Sequence, residues 1–168
     1  MPAEIERLYD AHAQSLYAFL LNFTRDENDT RDLLQEIFIK LAREPKLLSG
    51  VRDERAFFIR LAHNSAIDLI RRRGTRERTK ENFAAEMISP FAPANEPDEE
   101  VFRDQLSEAL GRLPEEQRAV LHLKLWEGLT FEQIAGALGI SPNTAASRYR
   151  YGLDKLRERL RPLYEEIK

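Results

Sequence analysis

No cysteine occurs in the 168 residues. That excludes disulfide scaffolds, cysteine-ligated zinc and thiol catalysis. Histidine is scarce too: His12, His63 and His122 stand far apart and form no metal-ligand spacing. The few glycines never make a phosphate-cradling loop. No apolar run approaches the ~18 residues of a membrane span. The N-terminal MPAEIERLYD lacks the apolar core of a secretion signal. β-Branched alternation between turn residues is also missing, so strands are not expected. A soluble, cytoplasmic protein is expected, with no membrane insertion, metal or cofactor.

What is present is charge and helical spacing. Charged residues make up 33% of the chain and the net charge is −3. That near-neutral sum argues against nucleic acid only until it is divided by segment. Residues 51–80 carry +5, residues 81–100 carry −6 and residues 135–168 carry +3. Two basic stretches thus flank an acidic one.

Apolar residues at helical spacing predict an all-α fold. Leu8, Leu16, Phe19, Leu20 and Phe23 mark a helix over about residues 3–24. Asn28 or Asp29 can cap a second, which Pro45 ends near residue 44. A third spans about 53–73 and is expected to stop at Gly74. Residues 75–100 turn from basic to acidic and carry three prolines, a linker composition. Helical spacing resumes with Val101, Leu106, Ala109 and Leu110. Pro114 suits the first turn of a helix expected to end near Gly128. Two small helical domains on a flexible linker follow: residues 1–75, a linker over 76–98, and residues 99–168.

LTFEQIAGALGISPNTAASRYRYGL (129–153) has the pattern of a helix-turn-helix. Thr130 and Gln133 fit a capping box, Gly139 makes the turn, and Ser141-Pro142 reads as N-cap plus first helical residue. The last helix is expected to reach about Arg161. Its buried stripe is Ala145, Tyr149, Leu153, Leu156 and Leu160. Asn143, Thr144, Ser147 and Tyr151 face outward, flanked by Arg148 and Arg150. Recognition helices meet DNA through such N-terminal residues. A solvated helix in an unrelated bundle would read the same way.

Two other faces stand out. In DLLQEIFIKL (32–41), Asp32, Gln35, Glu36 and Ile39 oppose the core stripe, placing an apolar residue within a polar rim. In RAFFIRLAHNSAIDLIRRR (55–73), Phe57, Arg60, Asn64 and Arg71 share one face. An aromatic among cations and an amide suits single-stranded nucleic acid, where bases stack and phosphates pair. A stray surface Ile and a basic helix end are the plainer readings.

These three segments, in this order, resemble an extracytoplasmic-function (group IV) sigma factor of bacterial RNA polymerase, over nearly the whole chain. DLLQEIFIKL resembles region 2.2, AFFIRLAHNSAIDLIRRR regions 2.3 and 2.4, and residues 113–160 region 4. The resemblance implies a promoter-recognition factor without catalytic activity. Its partners would be core polymerase (β′ coiled coil and β flap), promoter DNA and an anti-sigma factor. It assigns Asp32, Gln35, Glu36 and Ile39 to polymerase docking, and Phe57, Arg60, Asn64 and Arg71 to the −10 element. Asn143, Thr144, Ser147, Arg148, Arg150 and Tyr151 fall to the −35 element. Phe57 stands where the family usually has Trp, and Ala146 where many members carry Lys or Arg. The second departure bears on −35 preference.

Three rivals differ in kind. A helix-turn-helix regulator acting without polymerase leaves the faces at 32–39 and 57–71 unexplained. An anti-sigma-binding sigma mimic usually brings a phosphoreceiver domain, for which there is no room. An enzyme would need a nucleophile motif, phosphate loop or metal set, and none is seen.

Overall fold

A computed structural model describes residues 2–84 and 97–167, with side chains described over 3–73 and 100–162. Among the described residues there are seven α-helices and no strand: α1 Pro2–Thr24, α2 Glu27–Arg43, α3 Glu54–Ala84, α4 Pro97–Gly111, α5 Glu115–Leu125, α6 Phe131–Leu138 and α7 Pro142–Ile167. A single 3-10 turn, Pro45–Leu48, follows α2.

Helix α1 buries Leu8, Leu16, Phe19, Leu20 and Phe23 against α2 and α3. It stops because Arg25 adopts a left-handed φ of 61°, its N–H bonding back to Leu21 O at 2.8 Å. That early stop moves the start of α2. The N-cap is Asp26, not Asn28 or Asp29: its carboxylate accepts the Asp29 N–H at 2.9 Å. Asp29 is instead buried and ion-paired with Arg73. Acidic residues open α2 and Lys40 and Arg43 close it, matching the helix dipole.

Helix α3 runs on through Gly74 to Ala84. A glycine costs a helix interior only about 1 kcal/mol relative to alanine, and the residues after it, TRERTKENFA, are mostly good helix formers. The expected linker therefore begins inside a helix. Its remainder, 85–96, lies outside the described residues, and α4 starts at Pro97. Pro114 occupies the N-cap of α5 rather than its first turn, its carbonyl accepting from Gln117 and Arg118, both at 3.0 Å. Helix α5 ends at Leu125, before Gly128. At the other end of the chain α7 passes Arg161 and includes Pro162. This proline sits on the exposed side, where a carbonyl that loses its N–H partner can be hydrated.

The turn between α6 and α7 follows local chemistry. Thr130 and Gln133 form both bonds of the capping box, at 3.1 and 2.9 Å. Gly139 closes α6 at φ 71°, a left-handed conformation that favours glycine. Ser141 Oγ accepts the Thr144 N–H at 3.0 Å and starts α7. The helix-turn-helix is therefore fixed by bonds within fifteen residues.

Helices α1–α3 and α4–α7 form two units that pack on each other through α1 with α5 and α3 with α6. One apolar cluster holds residues of both: Phe19, Phe23, Phe58 and Ala62 from the first, Val120, Leu123, Ile134 and Ala145 from the second. A second cluster, with Leu110, Leu121, Leu156 and Leu160, lies within the second unit.

Candidate functional site

On α2 the core stripe Leu33, Ile37, Phe38 and Leu41 is buried, so the opposite side must face water. Asp32, Gln35, Glu36 and Ile39 are all exposed there, Ile39 to 42%. The structure brings these four residues together as the periodicity predicts.

The α3 face is less uniform. Asn64 and Arg71 are exposed. Phe57 is half-buried, packed on the core with its ring 5.6 Å from that of Phe58. Arg60 is exposed, yet its guanidinium donates to the carbonyl of Gly136 on α6. The four share a helix face, but two of them are engaged by the fold.

On α7, Asn143 and Arg150 are exposed, and Tyr151 is 56% exposed. The Arg150 guanidinium lies 5.4 Å from the Tyr151 ring centroid, a cation–π contact. Thr144 and Ser147 are half-buried rather than outward-facing. The Thr144 hydroxyl accepts from Ser141 Oγ at 2.9 Å. Arg148 pairs with Glu116 of α5 at 3.4 Å.

Between the units lies a polar seam that the linear sequence does not announce. Arg118 of α5 is buried and donates from Nε to Asn22 O at 2.6 Å, and from Nη2 to Phe23 O. Its Nη1 bonds Leu113 O at 2.6 Å. Arg25 reaches the other way, its Nη2 donating to Ser107 O at 2.7 Å and Ser107 Oγ at 2.9 Å. Each arginine thus meets carbonyls near the end of a helix in the opposite unit, where the dipole is negative. Burial pushes Arg118 down to about 9, aided by the neighbouring Arg25 and opposed by Glu115. Burial likewise pushes Arg25 down to about 10.

Glu127, just after α5, is the second node. Its carboxylate accepts from Ser15 Oγ of α1 at 2.7 Å and pairs with Arg55 of α3 at 2.7 Å. His122 Nε2 stands 3.8 Å away. The His122 ring, Ser15 and Arg55 hold this carboxyl down at about 2, against the effect of burial. Asn22 Oδ1 accepts from Arg25 at 3.3 Å, which turns the Asn22 amide N–H₂ toward His122 Nδ1, also at 3.3 Å. That arrangement places the imidazole hydrogen on Nε2, facing Glu127. The one sequence signal for the seam was Arg118 and His122 within an otherwise apolar run, RAVLHL.

Comparisons with known proteins follow the same division. Residues 8–76 match the family described as Sigma-70 region 2, and residues 103–156 match Sigma-70, region 4. The chain is 30% identical to the ECF RNA polymerase sigma factor SigX of Bacillus subtilis, over 99% of this chain and 89% of that one. It is 31% identical to the ECF RNA polymerase sigma factor SigL of Mycobacterium tuberculosis, over 96% of this chain and 91% of that one. Among solved structures, it resembles the sigma factor RpoE in complex with the anti-sigma factor NepR from Bartonella quintana. The TM-score is 0.69 at 20% identity, covering 95% of this chain and 96% of that one. CnrH in complex with the cytosolic domain of CnrY gives a TM-score of 0.65 at 21% identity, covering 96% and 90%. At that identity the likeness is one of fold.

Proposed function

The chain belongs to the ECF RNA polymerase sigma factors, with sigma-70 regions 2 and 4, and from that membership we propose how its residues divide the work. As a sigma factor it directs polymerase to promoters for transcription initiation. Residues 1–75 form the polymerase-binding and −10 domain, 76–98 the connecting segment, and 99–168 the −35 domain. Asp32, Gln35, Glu36 and Ile39 dock on core polymerase. Phe57, Arg60, Asn64 and Arg71 engage the −10 strand. Asn143, Thr144, Ser147, Arg148, Arg150 and Tyr151 meet the −35 element. The protein has no catalytic activity of its own and works in the cytoplasm. Among the described residues no helix is long and apolar enough to cross a membrane.

The observation that carries this reading is the α2 face: three polar side chains around an exposed Ile39, with no place in the core. An interface built as an apolar centre within a polar rim has this form. The seam adds a condition. Arg60 is bonded to Gly136, and Arg148 is paired with Glu116. Only the Arg60 bond crosses between the units, and it must be released before Arg60 meets a phosphate, so engagement of the −10 strand by Arg60 requires the two units to separate. The RpoE relative in fold was solved with an anti-sigma factor, and a partner of that kind is extended to this chain.

Run-off transcription with purified core polymerase over a genomic template library tests the proposal. Start sites preceded by a shared −35/−10 pair are expected. No start sites, with retained binding to duplex DNA, would favour a helix-turn-helix regulator independent of polymerase.

A further inference from the structure

His63 of α3 lies where the two units meet. Its ring stands edge-on to Phe23 of α1, centroids 5.5 Å apart. From the other unit, Glu116 of α5 and Arg148 of α7 are near enough to act on its charge in opposite directions. Those two are paired with each other at 3.4 Å, so their fields largely cancel at His63. Both ring nitrogens are shut off from solvent, and neither has a hydrogen-bond partner. No function proposed above uses this side chain.

A neutral imidazole tolerates such a place at the cost of one unmade N–H bond. An imidazolium does not: it would bury a charge and two unpaired donors, and the Glu116–Arg148 pair offers it little net compensation. Separation of the units removes α5 and α7 from the ring. On the exposed side of α3 the imidazole would then be hydrated and protonate near its ordinary value.

We infer that His63 makes the closed arrangement of the two units acid-labile, with protonation of its ring favouring the open one. The sign follows from the geometry. The closed form holds His63 neutral, and burial pushes its imidazole below the usual histidine value. Closure is therefore undisturbed above about pH 6.5 and weakens as pH falls below it. Opening frees Arg60 from Gly136. A fall in pH would thus shift the free chain toward its DNA-competent form. His122, the other seam histidine, faces the Glu127 carboxylate at 3.8 Å. The acid-lability rests on the seam geometry, and its consequence for DNA rests on the promoter role proposed for Arg60.

The chain has no cysteine, so two can be introduced and labelled without background. Arg43→Cys on α2 and Arg157→Cys on α7, both at exposed positions, carry a donor and acceptor dye on the full chain. Energy transfer is read from about pH 7.5 to about pH 5.5, a range that crosses the ordinary histidine value. The expected result is a fall in transfer equivalent to about a twofold or greater rise in the open-to-closed ratio. His63→Phe should remain closed, with a flat response. His63→Met serves if circular dichroism shows the Phe variant misfolded. No pH response in the parent, or the same response in the variant, overturns the inference. The His63 ring proton signal in the parent supplies a second reading. Its midpoint should lie below about 6.5, and a midpoint at or above that value also overturns the inference.

Discussion

The Nε of Arg118 lies 2.6 Å from the carbonyl oxygen of Asn22, tying α5 to the last turn of α1. The same guanidinium reaches Phe23 O and Leu113 O, so one side chain serves both units. Arg118→Met keeps the bulk and removes the donors. It should lower stability by about 2–4 kcal/mol, because buried carbonyls are left without partners. Urea unfolding of the full chain measures this. A loss under ~0.5 kcal/mol would mean that water replaces the guanidinium.

Arg25 and Gly111 are coupled by space. A methyl group at Gly111 would lie 3.2 Å from Arg25 Nη2, displacing the guanidinium from Ser107. Gly111→Ala should cost about 1 kcal/mol in the parent, despite alanine's better helix propensity. In an Arg25→Gly background the same change should stabilise, because the clash is gone. Arg25→Gly also relieves the left-handed φ of 61°. Denaturation midpoints of the four chains form a double-mutant cycle. Additive effects would disprove the coupling.

Glu127 gives an acid limb to stability. Its carboxyl is held down from the ordinary 4.5 to about 2 by His122, Ser15 and Arg55. A carboxylate depressed in the folded form stabilises it above its unfolded value, and the contribution fades as pH falls through the folded one. Glu127→Gln should therefore be less stable than the parent at neutral pH. The gap should narrow between about pH 4.5 and pH 2 and not between pH 8 and pH 6. Thermal midpoints of both chains across that range decide it.

Asp32→Arg reverses one charge on the exposed side of α2, away from the buried stripe. Core-polymerase affinity should fall about tenfold or more, with the melting temperature unchanged. Fluorescence anisotropy with labelled chain reads the affinity. Unchanged binding removes Asp32 from the interface.

Arg148→Ala should reduce the salt dependence of promoter binding by the holoenzyme, lowering the log–log slope by about one. An intact slope would leave Arg148 a partner of Glu116 only.

Legibility in the sequence followed the range of the interaction. Thr130, Gln133, Gly139 and Ser141 could be read because each acts on backbone within four residues. The α2 face could be read because 3.6-residue spacing separates Ile39 from Ile37 and Leu41. Gly74 misled because it is a weak local stop, outweighed by helix-forming neighbours. Asp29 looked like a cap and is instead a partner of Arg73, 44 residues away. The seam was hidden for the same reason. Ser15 and Glu127 are 112 residues apart, and Arg25 and Ser107 are 82 apart. Such pairs leave no periodic trace. The residues proposed for the two DNA elements lie on α3 and α7, but the sequence did not show that Arg60 and Arg148 are held by other groups.

The outer face of α2 is exposed while the two units are packed together. A surface available in both arrangements sets an order of events in time. On the proposed docking role, encounter between this face and polymerase would be a second-order step whose rate does not wait on separation of the units. Separation would then follow as a first-order phase, independent of polymerase concentration, with the Arg60 contact to promoter made only after it. A stopped-flow trace would show two exponentials, the faster rising with polymerase concentration and the slower reaching a plateau.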